Sequence, residues 1–152
     1  RALARGIAAS PDELIVRHAE NIADFGTALD QWNTAALAVI GTAYSVFQAV
    51  AAPALANNKV AVFYGVGCET TPLPVSLLNF RQGAAGGTTY AIYDMEQLAN
   101  GLRIEGYFSE PIWYDPSEVI NVTVTARIAT ALLARVQLFC YIVEPKGPII
   151  SR

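Results

Sequence analysis

Alternating apolar and polar positions run through most of the chain after residue 43 and predict β-strands. The clearest alternation covers residues 119–128, where Ile120, Val122 and Val124 share one face and Asn121, Thr123 and Thr125 share the other. Similar patterns predict strands at 44–50, 59–67, 75–81, 88–93, 104–114 and 135–144, and one short helical turn at 95–100. In 59–67, strict alternation places Val60, Val62, Tyr64 and Val66 on one face.

The connections between these strands favour antiparallel pairing. No segment long enough for a crossover helix separates them, which argues against a parallel sheet. Pro111 cannot donate a hydrogen bond to a neighbouring strand and therefore marks an edge or a bulge. Seven or eight strands in about 110 residues predict an antiparallel β-sandwich, with jelly-roll and immunoglobulin-like arrangements both open.

The first 42 residues follow a helical pattern instead. Ser10, Pro11, Asp12 and Glu13 have the order of a helix start: a capping serine, a proline in the first turn and two acidic residues. Apolar positions then recur at steps of three and four, which predicts a helix over 11–25 that ends near Gly26 and a second helical stretch over 27–40. We therefore expect two parts, an N-terminal helical arm (1–42) and a β-sandwich domain (43–152).

A membrane-spanning reading applies to residues 34–56, because no charged residue occurs between Gln31 and Asn58. Its small and polar composition, with Gln48 and Pro53 and no basic flank, favours instead the end of a helix followed by a buried strand.

The composition predicts association. Hydrophobic residues make up 53% of the chain and charged residues only 15%, which leaves few charges to solvate an isolated surface. The net charge of −3 argues against direct binding of nucleic acid through its phosphates.

Few residues in the sequence could support catalysis. The single histidine, His18, lies in a charged stretch typical of a solvated helix face. Cys68 and Cys140 are too far apart in sequence for a zinc site, although a disulfide between them stays open; Cys140 lies in an apolar run typical of a buried, unreactive thiol. We expect no enzyme, no cofactor and no metal; an enzymatic alternative would depend on carboxylates such as Glu105 and Glu110.

Two strands are apolar on both faces. Phe139 and Tyr141 alternate with Leu138 and Cys140, and Tyr107 and Trp113 similarly oppose other apolar positions in 104–114. A sandwich strand normally exposes one polar face, so the second apolar face predicts a cover formed by the arm or by neighbouring subunits.

The stretch from Tyr107 to Pro116, followed by a strand and then by the run from Phe139 to Pro145, resembles the late strands of single jelly-roll structural proteins of viruses and bacteriophages. The resemblance implies a mainly β fold, a jelly-roll-like antiparallel sandwich behind a helical arm. It also implies a non-enzymatic capsid, or capsid-cementing or decorating, protein located in the virion. The expected partners are copies of itself and other capsid proteins.

On this reading the arm contributes Leu14, Ile15, Ile22 and Phe25 to a homo-oligomer interface, and the sheet contributes Tyr107, Trp113, Phe139 and Tyr141. One alternative is a carbohydrate- or ligand-binding sandwich with a stacking platform formed by Tyr90, Tyr93, Trp113 and Tyr114. Another is a membrane-associated virion protein that uses residues 34–56.

Overall fold

A computed structural model describes residues 1–19, 22–25, 32–47, 53–68, 72–84 and 87–147. Eight strands and one short helix, α1 (Glu96–Asn100), dominate these ranges. The strands are β1 (Leu14–His18), β2 (Ala43–Ser45), β3 (Val60–Cys68), β4 (Val75–Gln82), β5 (Thr88–Asp94), β6 (Glu105–Tyr114), β7 (Ile120–Ala126) and β8 (Val136–Pro145).

The strands form two four-stranded antiparallel sheets. The first sheet has the order β1-β8-β3-β6, and the second has the order β2-β7-β4-β5. Every hydrogen-bonded pair of strands within them is antiparallel. The predicted antiparallel sandwich is therefore confirmed, and so is the placement of Pro111 on an edge strand, because β6 is the last strand of the first sheet.

The inner faces of the two sheets enclose one continuous hydrophobic core. Phe63 lies at its centre, 5.6 Å from the ring of Phe80 and 5.7 Å from the rings of Tyr114 and Phe25. Fully buried aliphatic residues of β7 and β8, including Ile120, Val122, Val124, Leu138 and Ile142, complete the packing. These are the inward positions that the alternation in the sequence predicts.

The predicted helix over 11–25 is wrong for the described residues. Pro11–Glu13 and Ile22–Phe25 are single 3-10 turns, and Leu14–His18 is the strand β1. β1 pairs with β8 from Leu14 opposite Pro145 to His18 opposite Tyr141. The capping residues Ser10 and Pro11 thus begin only one turn, and pairing with a distant strand overrides the local helical preference.

The segment before β2 is also part of the sandwich. Trp32 and Leu37 are buried in the same core as the strands, and the rings of Phe25 and Trp32 lie 5.8 Å apart. No helix forms in the described residues 32–42, and residues 26–31 lie outside the description. A boundary at residue 42 therefore does not separate two packing units among the described residues.

Residues 34–47 and 53–56 contain the short strand β2 and otherwise irregular structure, while 48–52 lie outside the described ranges. In the ranges that are described, no helix has the length and apolar character needed to cross a membrane.

The N-terminal segment, residues 1–8, covers part of the outer face of the first sheet. Ala2 packs with Val60 and Val62 in a second small core. Arg1 donates to Asp115 Oδ1 at 2.9 Å, and Arg5 donates to Asp115 Oδ2 at 2.5 Å. Two ion pairs therefore fasten this segment to the turn between β6 and β7.

Candidate functional site

The rest of that outer face carries a cluster of aromatic side chains, which we call the aromatic face. It consists of His18, Tyr64, Tyr107, Phe139 and Tyr141, contributed by all four strands of the sheet. The ring of Tyr64 is central, with centroids 4.9 Å from Tyr141, 6.0 Å from Phe139 and 6.3 Å from Tyr107. The ring centroids of His18 and Tyr141 lie 4.3 Å apart. Tyr107 is 61% exposed and Tyr141 36%, so the cluster faces solvent in the isolated protomer.

A bulge in β3 creates this arrangement. The register with both neighbouring strands shifts between Phe63 and Gly65, so that Tyr64 and Gly65 both face outward. A Cβ atom on Gly65 would lie 2.7 Å from the Gly106 carbonyl oxygen and 2.8 Å from Phe139 Cδ2, and Gly67 also lies beneath the Phe139 ring. The two glycines therefore allow the aromatic rings to lie close against the backbone.

The aromatic face contains three tyrosine hydroxyls and one imidazole but no aspartate, glutamate, lysine or arginine side chain. The Tyr64 hydroxyl lies 3.3 Å from His18 Nδ1. Burial, and then the neighbouring Tyr141 and Tyr107 hydroxyls, raise the pKa of Tyr64 above its usual value. The Tyr64 hydroxyl is therefore protonated at neutral pH and can donate a hydrogen bond.

All four residues predicted for a sheet interface lie on this outer face. Tyr107, Phe139 and Tyr141 belong to the aromatic face, whereas Trp113 lies beside the N-terminal segment, with the Arg1 guanidinium 5.6 Å from its ring. The alternation in the sequence grouped Tyr64 with Val60, Val62 and Val66; Tyr64 does share the outer face with Val60 and Val62, but the bulge places Val66 in the core. Sequence reasoning did not assign Tyr64 to the interface. It also missed His18, because β1 was expected to be helical.

The residues predicted for an arm interface do not form one surface. Phe25 is 2% exposed and belongs to the core, so it is not available to another subunit. Leu14 is half-buried against the second core of Ala2, Val60 and Val62, and Ile15 is also half-buried. The side chain of Ile22 lies outside the description.

The predicted stacking platform is not formed either. Tyr114 is fully buried and donates a hydrogen bond to the Arg81 carbonyl oxygen at 2.8 Å. Tyr93 packs against Phe108 at the margin of the core, and only Tyr90 of this group contacts Tyr114. Trp113 points to the opposite side of β6 from Tyr114.

Groups that could carry chemistry are scattered. Cys68 and Cys140 are both buried, and their register partners, Val136 and Phe63, show that they lie apart in the first sheet with no disulfide between them. Burial raises the pKa of the Cys140 thiol well above its usual value, which makes this thiol unreactive. The described residues include no cluster of histidine, cysteine or carboxylate side chains that could hold a metal ion.

No protein family, curated protein or solved structure matches this chain with significant similarity.

Proposed function

We propose that the chain is a jelly-roll subunit of a virus or phage particle, a capsid or capsid-decorating protein that assembles through the aromatic face. The strand order supports the jelly-roll part of this proposal. β1 pairs with β8, β2 with β7, β3 with β6 and β4 with β5, which is the pattern of a long antiparallel ribbon rolled into two sheets. Eight-stranded jelly rolls are common in viral capsid proteins and in lectins.

The edges of both sheets discourage strand addition between copies. β1 has five residues and β2 has three, and short edge strands are poor templates for pairing. β5 shifts register opposite Phe80 and Arg81, and in β6 the four residues from Phe108 to Pro111 oppose the single Tyr64. Copies of this chain would therefore associate through faces or loops, not through continuous sheets.

The single observation that carries the proposal is the aromatic face. Aromatic residues are enriched in interface cores, where they bury large apolar areas while their hydroxyls find partners. Here five rings from four strands form one exposed patch next to a covered region, although a sandwich normally exposes polar side chains at such positions. A neighbouring copy of the subunit would supply the missing cover.

Light scattering in detergent-free buffer tests the proposal. We expect the purified chain to form a closed oligomer or a larger particle. The double variant His18→Thr with Tyr141→Thr changes two exposed residues and introduces threonine, a β-branched residue that favours strands. It should therefore weaken association at least about tenfold without unfolding the sandwich. Leu77→Thr, at a position 42% exposed on the second sheet, is the matched control. A monomer of the wild-type chain at all concentrations would refute the proposal.

The same face favours a second candidate, a carbohydrate-binding sandwich. Tyr64 and Tyr107 are nearly parallel, at 9° between ring planes, and tyrosines present both an apolar surface and a hydroxyl to a sugar ring. In that case the wild-type chain would bind in a glycan screen and the double variant would not. If the chain self-associates but binds no glycan, the shell subunit is the candidate function that remains.

A further inference from the structure

Leu102, in the connection between α1 and β6, has two unfavourable features at once. Its side chain is 95% exposed, and its backbone is left-handed with φ of +52°. Among the described residues, only one other non-glycine, the small and polar Ser117, has a positive φ. A bulky side chain is a rare occupant of this conformation, and an exposed leucine gains nothing from burial to offset it. Such a residue is best explained by a contact outside its own protomer.

A groove opens beside Leu102 on the same side of the sandwich, and we call it the edge groove. It has a volume of about 1130 Å³ and lies between α1, β5 and β6, because β5 and β6 are the outermost strands of their sheets. Its apolar lining includes Ile92, Tyr93, Leu98, Ile104, Phe108 and Ile112. Leu102 therefore protrudes at the margin of a groove whose lining is partly apolar and partly polar.

The charges around these two features are complementary. Arg103 follows Leu102 directly, and Arg103, Glu105 and Glu110 all lie along the lining of the edge groove. Within the described part of the chain, none of these three side chains takes part in an ion pair. A partner that places a leucine in the edge groove, with an arginine next to it, would satisfy the carboxylates at the same time.

We propose that two copies of the chain associate about a two-fold axis, with Leu102 of each copy inserted into the edge groove of the other. A two-fold contact uses the same patch on both subunits, so the patch must contain both the inserting residue and its receptor, as this one does. Arg103 of one copy then faces Glu105 and Glu110 of the other. The contact does not require strand pairing, which Pro111 and the bulge in β6 hinder.

The inference rests on the proposed function. A two-fold contact alone joins only two subunits, so a shell needs a second, different contact. The aromatic face would be that second contact. Tyr107 belongs to both surfaces, but the two contacts can still be separated by mutation, because Leu102 is not part of the aromatic face and His18 and Tyr141 do not line the edge groove.

Leu102→Asn tests the contact. Asparagine tolerates the left-handed conformation better than leucine, so the thermal midpoint should stay unchanged or rise by about 2–4 °C. Loss of two buried leucines per dimer should raise the dimer dissociation constant about a hundredfold in sedimentation equilibrium. Val16→Thr, at a position 65% exposed on β1, is the control and should change neither quantity. A second variant, Ile104→Glu, places a charge in the groove and should also weaken the dimer.

The outcomes distinguish this inference from the proposed function. A Leu102-dependent dimer that survives in the His18→Thr and Tyr141→Thr variant, or that forms without any larger assembly, supports the contact. An assembly whose dissociation is unchanged in Leu102→Asn refutes the contact and leaves the aromatic face in place. A lower thermal midpoint in Leu102→Asn would show that Leu102 stabilises its own protomer, and this result would also refute the proposed contact. A strictly monomeric wild-type chain refutes both.

Discussion

The N-terminal segment is held to the sandwich by one carboxylate, and Asp115→Asn tests that attachment. The Asp115 side chain is 8% exposed and receives hydrogen bonds from both Arg1 and Arg5. Charged hydrogen bonds contribute about 1.5–3 kcal/mol when buried, and exposed pairs contribute less than about 1 kcal/mol. Because the two arginine side chains are about half exposed, we expect a combined loss of about 1–2 kcal/mol in the free energy of unfolding at pH 7.

The pH dependence of this loss follows from the pKa of Asp115. Burial alone would raise that pKa, but the hydrogen bonds from Arg1 and Arg5 outweigh burial and hold it below the usual value. A carboxyl with a lowered folded-state pKa stabilises the fold above its unfolded pKa of about 3.9 and loses that contribution as the pH falls through the folded pKa. The difference between wild type and Asp115→Asn should therefore be full at pH 7, should shrink as the pH falls below the unfolded pKa of about 3.9, and should vanish below the folded-state pKa.

Urea unfolding at a series of pH values measures this difference, and subtraction of the two curves cancels the contributions of other carboxylates such as Glu144. Tryptic cleavage after Arg5 should also be faster in the variant, because the segment is then held more weakly. Asp12→Asn, at an exposed aspartate, is the control. An equal difference at pH 3 and pH 7, or no difference at pH 7, would show that the ion pairs do not hold the segment.

Three further predictions concern the hydrophobic core and the aromatic face. Gly65→Ala should cost about 1–3 kcal/mol in chemical unfolding, since its Cβ would meet the rigid Gly106 carbonyl, whereas Gly147→Ala, with open space around it, should have little effect. Phe25→Ala should cost about 3–5 kcal/mol, and a cost near zero would mean that Phe25 does not belong to the core. Because burial raises the pKa of Cys140, iodoacetamide should modify this thiol only after unfolding, and labelling of the native chain would contradict its burial.

The strands near the C-terminus could be predicted from sequence because local pattern and tertiary environment agree there. The apolar positions of β7 are fully buried, while Thr123 and Thr125 on its other face are half-buried, and β8 was expected one residue from its observed bounds. The N-terminus could not be predicted in this way. Leu14 and Ile15 fit a helical stripe by spacing, but the partner that makes them a strand is more than a hundred residues away.

Part of the aromatic face was also accessible from sequence. Because the sequences of β6 and β8 are apolar on both faces, Tyr107, Phe139 and Tyr141 could be assigned to an outer apolar face without any knowledge of their neighbours. The alternation in β3 grouped Tyr64 with Val60 and Val62, as the structure does, but the inward position of Val66 required knowledge of the bulge. The glycine pair at 65 and 67 is the signal in the sequence that could have indicated it. Leu102 carried no signal, because a backbone dihedral angle cannot be inferred from an isolated leucine.

The pairing of β1 with β8 has a consequence for biosynthesis. β1 cannot pair until β8 has been made, because Leu14 lies opposite Pro145 in the strand register and β8 also separates β1 from β3. Pairing between strands that are distant in sequence slows folding. During synthesis on the ribosome, the first sheet cannot form completely until β8 has emerged. The aromatic face draws on all four strands of that sheet, so a chain in which β8 has not yet paired cannot display it, and the association proposed for this face would be open only to chains with β8 in place.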